Sequence, residues 1–267
     1  DNSAEYRLRA MEVMQLFGPM PTVELLTSLG QSKNEAVRAR AAQLMGISKE
    51  SDRLHEPLLK MLSDTDRDVQ RAACESLLRC ASLPDSSALV PVLTPLLASS
   101  DRSLAWPARR LLERIPAEHW QSDLLAHSDQ RVRLQAGLAL VTAAPSAEHG
   151  QAVIHMTRSL LADFVSDRNF ADLLRLMQVA LHRCDLPAAD REELARELAA
   201  EFPVGEPLLN RELFRLLAYL NAQQVIPTAI GLLQSDSPLI ERMHIAMYLA
   251  SFRHEWSAGE RYAIVKF

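Results

Sequence analysis

The stretch SDTDRDVQRAACESL, Ser63 to Leu77, decides the reading of this chain. Asp66 is a helix-capping residue type, able to accept hydrogen bonds from the orphan amides of a first turn. Three residues later Val69 opens an apolar stripe that Ala73 and Leu77 continue, which is the spacing of one helical face. The register recurs along the chain. Ser3, Asn34, Asp66, Asp101, Asp129, Asp167, Glu206 and Asp236 each stand three residues before a large apolar residue: Tyr6, Val37, Val69, Leu104, Val132, Phe170, Leu209 and Leu239. The intervals run from 28 to 39 residues, inside the range in which repeats stack into solenoids.

Four residues after the apolar opener, the first five units carry a small residue, Ala10, Ala41, Ala73, Ala108 or Ala136. A small side chain there lets two helices approach closely. Shorter apolar segments lie between the capped helices, near 22–29, 54–62, 89–98, 118–126, 150–165, 188–200 and 224–233. Each pair makes a helical hairpin too small to bury its own face, so neighbours must stack on it. Eight glycines, 5% aromatics and the lack of period-two alternation argue against a sheet. The expected fold is all-α: about fifteen complete helices and an incomplete last one, forming a single solenoid over 1–267. Both ends read as cut, which makes the chain an expected fragment of a longer protein.

Composition narrows the function. With 48% hydrophobic and 24% charged residues the chain has ample core material. A net charge of -5 argues against a general nucleic-acid binder, because phosphate recognition needs a concentrated basic face. The longest apolar run, Ala88 to Ala98, is too short to span a bilayer and contains Pro91 and Pro95. Cys74 and Cys80, six apart on one expected helix, lie about 9 Å apart along the axis and cannot pair. No C-x-x-C, G-x-S-x-G, phosphate-binding glycine loop or H-E-x-x-H occurs.

Ser63 to Leu77, and more loosely Ser32 to Leu44 and Ser128 to Leu140, resemble the HEAT repeat. The resemblance implies a right-handed superhelix of about eight stacked hairpins. It also implies a ladder between units, in which an acidic residue (Asp66, Asp101 or Asp129) meets the Arg after the opener (Arg7, Arg38 or Arg133). Gln70, Ala105 and Ala171 interrupt that ladder. The stretch His244 to Phe267 is further similar to the HEAT segment of large haem-binding, dehydrogenase-like proteins of planctomycete bacteria, which would place the module in an exported parent.

Candidate sites follow from this frame. His55-Glu56 and His254-Glu255 are the residue types with which HEAT-type deoxyhypusine hydroxylases hold iron, but they fall at unlike places in the repeat. No cofactor or metal is expected. Arginine outnumbers lysine 25 to 4, and many arginines lie on the second helix of a unit, which in such stacks lines the concave side. Arg38, Arg71, Arg109 and Arg133, with Trp106 among them, form the expected contact surface for a protein partner or for neighbouring domains of the same chain. Trp106-Pro107 should delay or kink its helix. The reading is a non-catalytic interaction module. A HEAT-like nucleic-acid binder of the DNA glycosylase kind and a HEAT-type metal-dependent enzyme are the alternatives.

Overall fold

A computed structural model describes residues 3–267 of the chain. Among them are sixteen α-helices and no strand, and the fold is an all-α solenoid. The chain divides into two compact units, 1–143 and 144–267. In the first, the helices are α1 (Ala4–Phe17), α2 (Val23–Leu29), α3 (Glu35–Met45), α4 (His55–Leu62), α5 (Arg67–Arg79), α6 (Ser86–Leu97), α7 (Arg102–Leu112), α8 (Gln121–Leu125) and α9 (Gln130–Ala143). In the second they are α10 (Ala147–Leu161), α11 (Asp167–Arg183), α12 (Ala188–Ala200), α13 (Pro207–Tyr219), α14 (Ile226–Leu233), α15 (Leu239–Leu249) and α16 (Ala258–Lys266).

The capping column explains most helix starts. Ser3, Asn34, Asp66 and Asp101 cap α1, α3, α5 and α7 through their side-chain oxygens. Asp129 accepts from the Arg131 and Val132 amides at the start of α9, and Glu206 from the Leu209 amide. Two expected caps shift. Ser166, not Asp167, caps α11 by accepting from Asn169, and Asp167 becomes a first-turn acid that complements the helix dipole. At α15 the boundary is Pro238, not Asp236. A residue before proline is driven out of the helical region, so Ser237 cannot open a helix and the turn begins at Leu239. The whole stripe of α15 moves by two residues as a result. Ile245 and Leu249 point inward, and Leu239, Met243 and Met247 point out.

Trp106-Pro107 does not delay α7, because Asp101 secures the first turn through the Ser103 amide at 2.8 Å and the helix runs on through Pro107. The small column is buried in α3, α5, α7 and α9, where Ala41, Ala73, Ala108 and Ala136 are fully enclosed; on α1, Ala10 is exposed. The close approach of α3 and α5 has a visible consequence. Ser76 Oγ donates to the Ala42 carbonyl at 2.7 Å, and a Cβ on Gly46 would lie 2.6 Å from the Ser76 Cα, so glycine is required there. Packing is less regular around α9. Because α8 spans only five residues, α9 also lies against α6. In the second unit Leu173, Leu213 and Ile245 fill the small column. Aromatic packing stands beside them: Phe214 stacks on Phe202 at 5.1 Å and meets Phe252 at 5.8 Å.

Candidate interaction surface

On a second helix the buried stripe runs three, seven and eleven residues past the cap. Five and nine residues past it lies the opposite side. Those outward positions hold Arg71 and Glu75 on α5, Trp106 and Arg110 on α7, Arg211 and Arg215 on α13, and Met243 and Met247 on α15. On α9 the pattern fails, because Leu134 is buried.

The five residues singled out from the sequence separate into groups. Arg38 sits on the flank of α3 and faces the next repeat. Its Nε and Nη2 donate to the two Asp64 oxygens at 2.8 Å each, and Nη1 donates to the Ser32 and Lys33 carbonyls. The pair is nearly enclosed, with 15% and 13% of the side chains exposed. Arg38 therefore joins repeats and spends its donors within the protein. The acid it meets corrects the expected ladder, since Asp66, Asp101 and Asp129 are occupied as caps and Asp64 is the partner. Burial pushes the Asp64 carboxyl up, but the Arg38 fork and the Asp66 and Thr65 amides together hold it below the usual value. Gln70, at the Arg38 position of the next unit, makes no bridge across but keeps half of the arrangement, donating to the Asp64 carbonyl at 2.8 Å.

Arg109 is half-buried against Glu113 at 3.4 Å, and Arg110 meets the same carboxylate. Arg133 is half-buried on α9. Arg71 reaches Asp68 at 3.0 Å and Glu75 at 3.9 Å along its own helix and stays 40% exposed. Trp106 is 55% exposed, although a tryptophan of this size normally buries most of its surface. Trp120, by contrast, is fully buried and donates its Nε1 proton to the Ile115 carbonyl at 3.1 Å. Arg71 and Trp106 thus share the outward register of successive second helices; Arg38 lies outside it.

The second unit carries an outward surface that the sequence reading missed beyond its arginines. Arg215 donates from Nε to the Tyr248 hydroxyl at 3.0 Å, lies 5.6 Å from that ring, and bonds Glu212 through Nη1 at 3.0 Å. Arg211 approaches Glu241 at 3.5 Å. His244 donates from Nε2 to the Arg211 carbonyl at 3.0 Å, and burial, ahead of the two nearby arginines, holds its pKa below the usual value. Beside them Leu239, Ile240, Met243 and Met247 line a hollow of about 460 Å³. The signal for it was the Ser-Pro step at 237–238, which fixes where α15 begins.

The two His-Glu pairs each have a local acidic neighbour. His55 lies 3.6 Å from Asp52 in the first unit, and His254 lies 3.2 Å from Glu260 in the second. No group of three His, Cys, Asp or Glu side chains able to hold a metal occurs among the described residues. The three cysteines are buried thiols, and burial, helped by Glu75, pushes Cys74 up to about 12. No described helix is long and apolar enough to cross a membrane.

Residues 1–77 and 23–113 match the family model of HEAT repeats. That match covers the first four second helices and the Arg38–Asp64 bridge. No curated protein is similar enough to match the chain. Among solved structures, two engineered proteins are similar at 20% identity. One has a TM-score of 0.43 and covers 75% of this chain and 99% of its own; the other has 0.38, covering 88% and 100%.

Proposed function

We propose that the chain is a non-catalytic scaffold that receives a protein partner on the outward side of its second helices. HEAT repeats generally serve as protein-interaction scaffolds. The observation that carries the reading is Trp106, a large aromatic 55% exposed at an outward position of α7. Buried aromatics and arginines dominate interface energetics, so an exposed Trp beside Arg71 and Arg110 supports a contact site. Arg109 and Arg133 flank it in a supporting role, and Arg38 holds the repeats beneath. Affinity capture with wild type, Trp106→Ala and a control, Tyr262→Ala, tests this: the reading expects partners lost only with Trp106→Ala at unchanged melting temperature. Partners retained by that variant would end it.

The similarity of His244 to Phe267 to planctomycete HEAT segments suggests a narrower setting, beside a dehydrogenase-like portion and a cytochrome c portion. A parent gene encoding C-x-x-C-H downstream would support that setting, and a parent lacking it would remove it.

A further inference from the structure

We infer that the outward side of α13 and α15 is a second docking surface, for an acidic peptide segment that carries an apolar anchor. The apolar half is the hollow of about 460 Å³ under Leu239, Ile240, Met243 and Met247. These four side chains are each at least half exposed, Met247 by 69%, and they follow one another along successive turns. Contiguous exposed apolar residues of this kind mark contact sites. Two methionines give the hollow an adaptable wall, suited to a peptide side chain of imprecise shape.

Charge identifies the occupant. Arg211 borders the hollow, Arg215 lies one turn on, and Arg175 holds the outward position of α11. Glu212 and Glu241 hold two of these arginines in place without consuming them. Among the described contacts, Nη2 of Arg215 and both Nη groups of Arg211 make no hydrogen bond within the protein. Tyr248 and Glu212 fix the Arg215 guanidinium before any ligand arrives, which lowers the ordering cost of binding. A cationic row beside an apolar hollow complements carboxylates placed next to a Leu, Phe or Met side chain. Nucleic acid fits less well: Arg215 lies over the Tyr248 ring and Arg191 over the Tyr219 ring, so one face of each is already taken.

The experiment uses the whole chain and a fluorescein-labelled peptide of about twelve residues that alternates Glu with Leu and Phe. Two control peptides replace Glu by Gln or the apolar residues by Ser. Anisotropy should show binding of the first peptide that weakens about tenfold with either control, and likewise with Met243→Ser/Met247→Ser or Arg211→Gln. Trp106→Ala should leave that affinity unchanged, so loss of the Trp106 reading and loss of this one are distinguishable. Melting curves confirm the fold of each variant, and the exposed methionine pair keeps the test valid if Arg211→Gln is unstable. No binding near millimolar peptide overturns the inference. So does equal binding of the Ser control, displacement by single-stranded DNA at lower concentration, or a chain dimer that the methionine substitutions abolish.

Discussion

The second helices α3, α5 and α7 and the second helices α11, α13 and α15 occupy the same register in their repeats but are held by different chemistry. In the first group alanines at the small column bring backbones together, and polar contacts to main chain and to a carboxylate join neighbouring repeats. Ser76 donates to the Ala42 carbonyl, Arg38 spans to Asp64, and Arg114 donates to the Leu77, Leu78, Cys80 and Ala81 carbonyls at the end of α5. In the second group leucine or isoleucine stands at that column, and aromatic stacks and arginine–ring contacts are added to the hydrogen bonds. Contact between adjacent second helices is more extensive across α3–α5 and α5–α7 than across α11–α13 or α13–α15. On α3, α5 and α7 the aromatic that protrudes is Trp106. Looser packing in the second unit leaves hollows between second helices, near Tyr219 and near Met243.

The comparison breaks most visibly at the aromatic core of the second unit. Phe214 is fully buried between Phe202 and Phe252, so Phe214→Ala should cost about 3–5 kcal/mol in chemical denaturation. A loss below about 1 kcal/mol would show that the stack does not hold α13. The first unit should fail in the opposite direction, through enlargement. Ala73→Leu should destabilise by about 1–3 kcal/mol, because the α3–α5 approach leaves no room for added methylenes. A neutral result would remove the close-approach argument.

The Arg38–Asp64 bridge sharpens the contrast through pH. Asp64→Asn should cost roughly 1–2 kcal/mol at neutral pH, scaled down from a fully buried pair for residual exposure. The folded-state carboxyl is depressed below its ordinary value of 3.8, so its contribution is complete above that value and is lost as pH falls through the folded value. Urea denaturation across pH should therefore show wild type and Asp64→Asn converging in acid. A gap that persists there would mean the residue acts through shape alone.

Much of this fold was legible because cap and stripe are local signals. Asp66 before Val69, Ala73 and Leu77 states a helix start and a buried face within twelve residues. What was misread needed competition between neighbours to be judged. Ser166 and Asp167 are both capping types, and the hydroxyl one residue earlier takes the amide. Asp236 fits the column, yet Pro238 excludes a start there. Asp64 and Asp66 are equally acidic, but the nearer one is committed to its own helix, leaving the other for Arg38. The exposure of Trp106 was available from spacing: two residues from Ala108 is roughly the opposite side of a 3.6-residue turn. The Arg215–Tyr248 contact was not available, because it joins residues 33 apart whose alignment depends on the shifted start of α15.

The smallest effect expected is on stability at the surface. Trp106→Ala should change the unfolding free energy by no more than about 0.5 kcal/mol, since the ring makes no hydrogen bond or ring contact among the described residues. A larger loss would convert Trp106 from a contact residue into a packing residue.

The central claim is that the outward positions Arg71 on α5 and Trp106 on α7 are free of structural work while the flanking position of Arg38 is not. Calorimetric melting of Arg38→Glu and Arg71→Glu, measured side by side, tests it most directly. The account predicts that Arg38→Glu, which sets a carboxylate against Asp64, lowers the melting temperature by about 4–8 °C, whereas Arg71→Glu shifts it by no more than about 2 °C. Equal shifts, or a larger loss at Arg71, would contradict it.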